Sequence, residues 1–121
     1  LGPVGQEGMK MSVIIISERE QKLAARMEGL RAFLSSLRAA GDISHFLTVG
    51  NEIRVWIEDT VGQPADITIQ VTTMSVFVTS GPCRVFVGNG VWKLPKYGFQ
   101  KPLPSVRPIM KSFCDSLATI F

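Results

Sequence analysis

His45 is the only histidine among 121 residues, so chemistry that needs a neutral-pH base has a single candidate. Any serine or cysteine nucleophile would depend on it for activation. Its surroundings argue against that role. Ile43, Leu47 and Val49 alternate with it on one side of a period-two segment, which reads as a semi-buried structural histidine. Acid–base work by paired carboxylates would fall to Glu52, Glu58, Asp59 or Asp66. These stand at solvent-facing strand positions or in a loop, where a solubilising role is expected. Cys83 and Cys114, with His45, do not make up a tetrahedral zinc set. Gly88-Asn89-Gly90 has the look of a phosphate loop, but Val91-Trp92-Lys93-Leu94-Pro95 cannot open the helix such a loop requires. The residues therefore predict no enzyme, no cofactor and no bound metal.

Binding is the other chemistry on offer. Trp56 lies among charged neighbours on the outward side of an alternating strand, beside Arg54, and tryptophans so placed mark partner surfaces. The alternative is a helix lying over that side and making Trp56 core. Trp92 and Tyr97 flank Lys93 and Lys96, either to stack on bases or to pin a proline-rich crossover to the sheet. Leu23 and Met27 complete the expected partner-binding set with Trp56, Arg54, Trp92 and Tyr97. A nucleic-acid reading would instead use Arg19, Lys22, Arg26, Lys93, Lys96 and Lys101 for phosphate contacts.

Positioning these side chains falls to a helix–sheet–helix order. Ser17 and Glu20 form a capping-box pattern, and Leu23, Met27, Leu30, Leu34 and Leu37 follow at alternating steps of four and three. Gly41 supplies a left-handed terminator, which predicts a helix over 18–40 that packs on a sheet rather than forming a coiled coil. Residues 43–94 switch to period two, with turn signals at Gly50-Asn51, Gly62 to Pro64, Ser80-Gly81-Pro82 and Gly88-Asn89-Gly90. Five or six antiparallel strands in a meander are expected. Residues 95–104 hold three prolines and read as a crossover. Ser105 is placed to cap a last helix over 105–121, whose apolar stripe is Val106, Met110, Phe113, Leu117 and Ile120. The fold class is α+β.

Length and composition agree with one folded domain: hydrophobic residues make up 45% and charged ones 19%. Residues 1–11 are set aside as a cloning remnant or disordered leader, leaving 12–121 as the domain. The longest aliphatic run, Val13 to Ile16, is far too short to span a bilayer, so no membrane association is expected. Two cysteines suit a reducing compartment and buried free thiols. The net charge of +3 is unevenly spread. Residues 42–90 carry two basic and five acidic groups, while residues 91–121 carry five basic and one acidic.

Three stretches carry a resemblance to a known family. They are HFLTVGNEIRVWIED, then ADITIQVTTMSVFVTSGPCRVFVG, then KLPKYG with the closing helix PIMKSFCDSLATIF. Their order of hydrophobic alternation, turns and final amphipathic helix resembles a polo box of the Polo-like kinases, nearest to the single C-terminal box of the centriole-duplication branch. The resemblance covers the chain from Ile43 onward, and the 18–40 helix departs from it. No counterpart of the histidine–lysine phosphopeptide pincer is present, so no individual functional residue transfers. What the resemblance implies is a non-catalytic module that binds a helical or extended protein segment or dimerises, in a scaffold or kinase regulatory region. A cytoplasmic or nuclear site, at centrosome or kinetochore, would go with that role.

Overall fold

Ser17 opens the first helix as its cap. Its hydroxyl accepts the Glu20 N–H at 3.2 Å, and α1 runs Glu18–Ala40 until Gly41 turns the chain at φ 81°. The structure, a computed structural model, describes residues 17–60, 62–93 and 100–121. Six strands come next: β1 His45–Val49, β2 Glu52–Trp56, β3 Ile67–Val71, β4 Ser75–Ser80, β5 Cys83–Gly88 and β6 Val91–Lys93. All neighbours pair antiparallel in the order β1-β2-β3-β4-β5-β6, a simple meander. The closing helix, α2, is Met110–Ile120. The α+β class and the antiparallel meander are as the alternation predicts, with six strands, the upper of the five or six expected.

Register decides which side chains share a face. Ile53 pairs with Ile69, Ile69 with Val78, and Val78 with Val85, so β-branched residues form continuous rows across four strands. All four are fully buried. They meet Leu30 and Leu34 of α1 and Phe113 and Leu117 of α2 in one core cluster. The helices also meet each other, with the rings of Phe33 and Phe113 5.6 Å apart. Both apolar stripes are thus spent inside the chain, as packing on a sheet requires. Tight turns need little chain: Asn89 at φ 55° and Gly90 at φ 76° link β5 to β6 in the left-handed conformation that such hairpins demand.

Two expectations need correction. Ser105 does not cap the last helix. Its hydroxyl donates to Asp66 Oδ1 at 3.1 Å, while Asp66 Oδ2 accepts the Ile57 N–H at 2.8 Å. Residues 104–109 form turns instead, because Pro108 disfavours helical geometry at Arg107 and lacks an N–H of its own. The helix therefore starts at Met110. Ile43 is also not a strand residue: it is buried ahead of β1, whereas Leu47 and Val49 lie exposed on the face away from the helices. Of the proline-rich crossover, residues 95–99 lie outside the described residues. Its far end is anchored by Ser80, whose buried Oγ accepts the Leu103 N–H at 3.0 Å.

Truncating a stripe residue removes apolar contacts on both sides of the core. Phe113→Ala is expected to cost about 3–5 kcal/mol and Leu30→Ala about 2–5 kcal/mol. Urea unfolding followed by circular dichroism checks this. A single shared transition moved to lower urea in both variants is the expected result. A folded monomer of unchanged stability from either one would mean that the helix concerned does not cover the sheet.

Candidate functional site

Two helices cover one face of the sheet, and among the described residues no element covers the other. Its residues alternate with the core rows: Leu47, Arg54, Thr68, Thr79 and Arg84 form one row across five strands. Val49, Glu52, Gln70, Phe77, Phe86 and Lys93 form the next, across all six. Leu47 is 50% exposed, Val49 45% and Phe86 36%. Arg54 pairs with Glu52 at 3.5 Å. The Arg84 guanidinium lies 4.4 Å over the Phe77 ring, and Phe77 meets Phe86 edge-on at 5.5 Å. This face is apolar at the β1 side and cationic–aromatic at the β5–β6 side.

Trp56 belongs to this uncovered face and not to the core. Its ring stacks on His45 at 4.5 Å and 5°, and its Nε1–H donates to the Gln63 carbonyl at 2.9 Å. His45 is accordingly half-buried against an aromatic ring, with Ser44 Oγ 3.4 Å from Nδ1. No group of three or more His, Cys, Asp or Glu side chains able to hold a metal occurs among the described residues. A small cleft of about 140 Å³ between the helices is lined by Phe33, Leu37, Asp42, Ile109, Phe113 and two serines.

The other sequence-predicted positions separate. Arg54 lies on the bare face beside Trp56. Trp92 turns the opposite way, its Nε1–H donating to Asp115 Oδ1 of α2 at 2.7 Å, so it ties the last strand to the last helix. It staples the fold, with its ring partly buried against the core. Met27, 5% exposed, is core and not surface, and Leu23 packs partly buried against that core. Tyr97 and Lys96 lie outside the described residues. Lys93 is exposed beside Phe86 and Lys101 is exposed far along the chain from it, so the nucleic-acid set does not form one stripe. Arg19, Lys22 and Arg26 do come together, along one groove at the start of α1.

The pairing of Phe77 with Phe86 and Arg84 escaped sequence reasoning. Its signal was present in the alternation: Phe77 falls between Val76 and Val78, and Phe86 between Val85 and Val87, each out of phase with the core. The chain matches no family model, no curated protein and no solved structure. No helix of the described residues is long and apolar enough to cross a membrane.

Both cysteines are free and buried. Burial, with smaller contributions from Cys83 and Asp115, pushes the Cys114 thiol from its ordinary 9.0 up to about 12. Burial also raises Cys83. Between pH 9 and about 12 the unfolded chain releases this proton while the folded chain keeps it, so stability falls as pH rises through that window. Cys114→Ala should flatten the alkaline limb of a Tm-against-pH curve. An iodoacetamide reaction of Cys114 in the folded protein at neutral pH would contradict the placement.

Proposed function

We propose that this domain is a non-catalytic protein-interaction module, polo-box-like in the order of its elements from β1 onward, that docks an extended partner segment at β1. One observation carries the reading. Among the described residues β1 pairs only with β2, and the edge it presents, His45-Phe46-Leu47-Thr48-Val49, has no lysine, arginine, aspartate, glutamate or proline. Natural sheets blunt free edges with such residues, because unpaired backbone groups template further strands. Here the edge also exposes Leu47 and Val49 on the bare face, where side chains of an added strand would meet them. The other edge is less suited. The β6 strand is three residues long and is tied to α2 through Trp92.

A strand added at β1 gains backbone hydrogen bonds from the edge and specificity from the side chains that flank it. Leu47, Val49 and the His45–Trp56 stack supply an apolar strip, with Arg54 and Glu52 behind it on β2. The partner this fits is an extended segment with alternating apolar residues, from another protein or from a second copy. Such a module would localise or assemble the larger protein that carries it. A nucleic-acid reading draws on Arg84, Lys93, Phe77 and Phe86. It is the weaker of the two, since Arg84 and Phe77 already engage each other.

Light scattering and selection from a displayed random-peptide library test the docking reading. The expected outcome is a dimer, or enriched peptides with apolar residues at every second position. Leu47→Lys should remove either form of binding while leaving stability within about 0.5 kcal/mol, as for an exposed position. A strict monomer that enriches no peptide would end the proposal. Binding that survives both Leu47→Lys and Val49→Lys would move it elsewhere on the fold.

A further inference from the structure

The beginning of α1 carries a feature that docking at β1 does not use. Arg19, Lys22 and Arg26 succeed one another at steps of three and four, which puts all three side chains on one side of the helix. They line an open groove of about 440 Å³ together with Thr73 and Met74, which precede β4, and Asn89 of the β5–β6 turn. Like charges at these steps repel one another. None of the three makes an ion pair among the described residues, and the one carboxylate in the groove, Glu18, stands a turn before Lys22. The ion pairs there are Arg54–Glu52 and Lys111–Asp115.

Arg26 adds a second, independent sign. Its guanidinium lies 4.9 Å over the Phe121 ring, and its Nη1 is buried with no hydrogen-bond partner among the described residues. A charged donor withdrawn from water without an acceptor is costly, and an anion in the groove that Arg26 lines would stabilise the guanidinium by its charge. The Thr73 hydroxyl and the Asn89 amide bring neutral donors to the same groove. From Arg19 to Arg26 the helix rises about 10 Å, a span that one phosphate does not bridge and a chain or ring of phosphates does.

We propose that this groove is a binding site for a small anion carrying several phosphate groups, held by Arg19, Lys22 and Arg26. The site neither requires nor excludes docking at β1. A soluble polyphosphate and the phosphorylated headgroup of a lipid share the chemistry, and the arms of the test separate them.

Inorganic triphosphate is titrated into the whole chain by calorimetry, with Lys22→Gln and Arg19→Gln as variants and Lys101→Gln as the control. Neither Lys22 nor Arg19 makes an ion pair among the described residues, so their variants should fold. Arg26→Gln would also strip the Phe121 ring and is not used. The expected result is saturable binding that each groove variant weakens about tenfold and the control does not. Vesicles of phosphatidylcholine with and without phosphatidylinositol bisphosphate then assign the source. Phosphoinositide-dependent binding that triphosphate displaces points to a headgroup, and triphosphate binding alone points to a soluble ligand. Absence of triphosphate binding, or equal weakening by Lys101→Gln, would overturn the site. So would an oligothymidylate that binds more tightly than triphosphate and displaces it, which would make the groove a nucleic-acid contact.

Discussion

An antiparallel sheet with one apolar face cannot be left uncovered, and this requirement governs the rest of the molecule. Rows such as Ile53, Ile69, Val78 and Val85 lie fully buried across the central strands, flanked by Val55, Ile67, Val76 and Val87. Removing that area from water is the main favourable term available to the fold. A single helix is too narrow to shield the face, so α1 and α2 lie side by side and touch through Phe33 and Phe113. Once both helices are committed to one face, the other has nothing in the described residues to cover it. Among the described residues, the uncovered face is a consequence of how the core is closed.

Closing the core also fixes where the chain returns after the sheet. Asp66 and Ser80 reach from opposite sides of the sequence to hold it. Asp66 takes the Ile57 N–H with one oxygen and the Ser105 hydroxyl with the other. Buried Ser80 accepts from Leu103, whose side chain also packs where Gly81 turns at φ 55°. A Cβ at Gly81 would come within 2.8 Å of Leu103 Cδ2 and push that side chain aside, and the left-handed φ already disfavours larger residues there. These polar ties are few, and two of them satisfy a backbone N–H, of Ile57 and of Leu103, that would otherwise go unpaired. They bring Val106 and then α2 onto the sheet in a defined register.

Local rules made much of this legible in the sequence. The bounds of α1 follow from Ser17 and Gly41 because caps act within a turn of the helix end. The strands follow from alternation, which needs no knowledge of distant residues. The failures were non-local. Ser105 looks like a cap until Asp66, 39 positions away, takes its hydroxyl. Trp92 looks like a free aromatic until Asp115 accepts its N–H. Alternation places Trp56 and Ile57 on opposite faces but cannot say which face the helices choose. Met27 belongs to a stripe whose every member is apolar, and only packing decides how deep each one lies. The bare face as a site was therefore half visible: its residue types could be read, and its openness could not.

Charge shows the same translation from chain order to space. The acidic middle of the sequence is not a uniform feature of the sheet. Asp42 follows α1, and Glu58, Asp59 and Asp66 lie in the β2–β3 connection, all at the end of the sheet where α1 finishes. The turns at Gly50-Asn51, before β4 and at Asn89-Gly90 lie at the opposite end, where α1 begins. Arg19, Lys22 and Arg26 sit there beside Glu18 and Glu20 of the first turn of α1, with no ion pair among the described residues. A helix of 23 residues is about 34 Å long, several times the roughly 8 Å over which charge is felt at physiological salt. The acids at one end therefore cannot neutralise the cations at the other. A net charge of +3 spread over the whole chain would attract an anion weakly and anywhere. Placed along one side of the start of α1, Arg19, Lys22 and Arg26 instead gather three cations at one end of the fold, where Glu18 is the acid that lines the same groove.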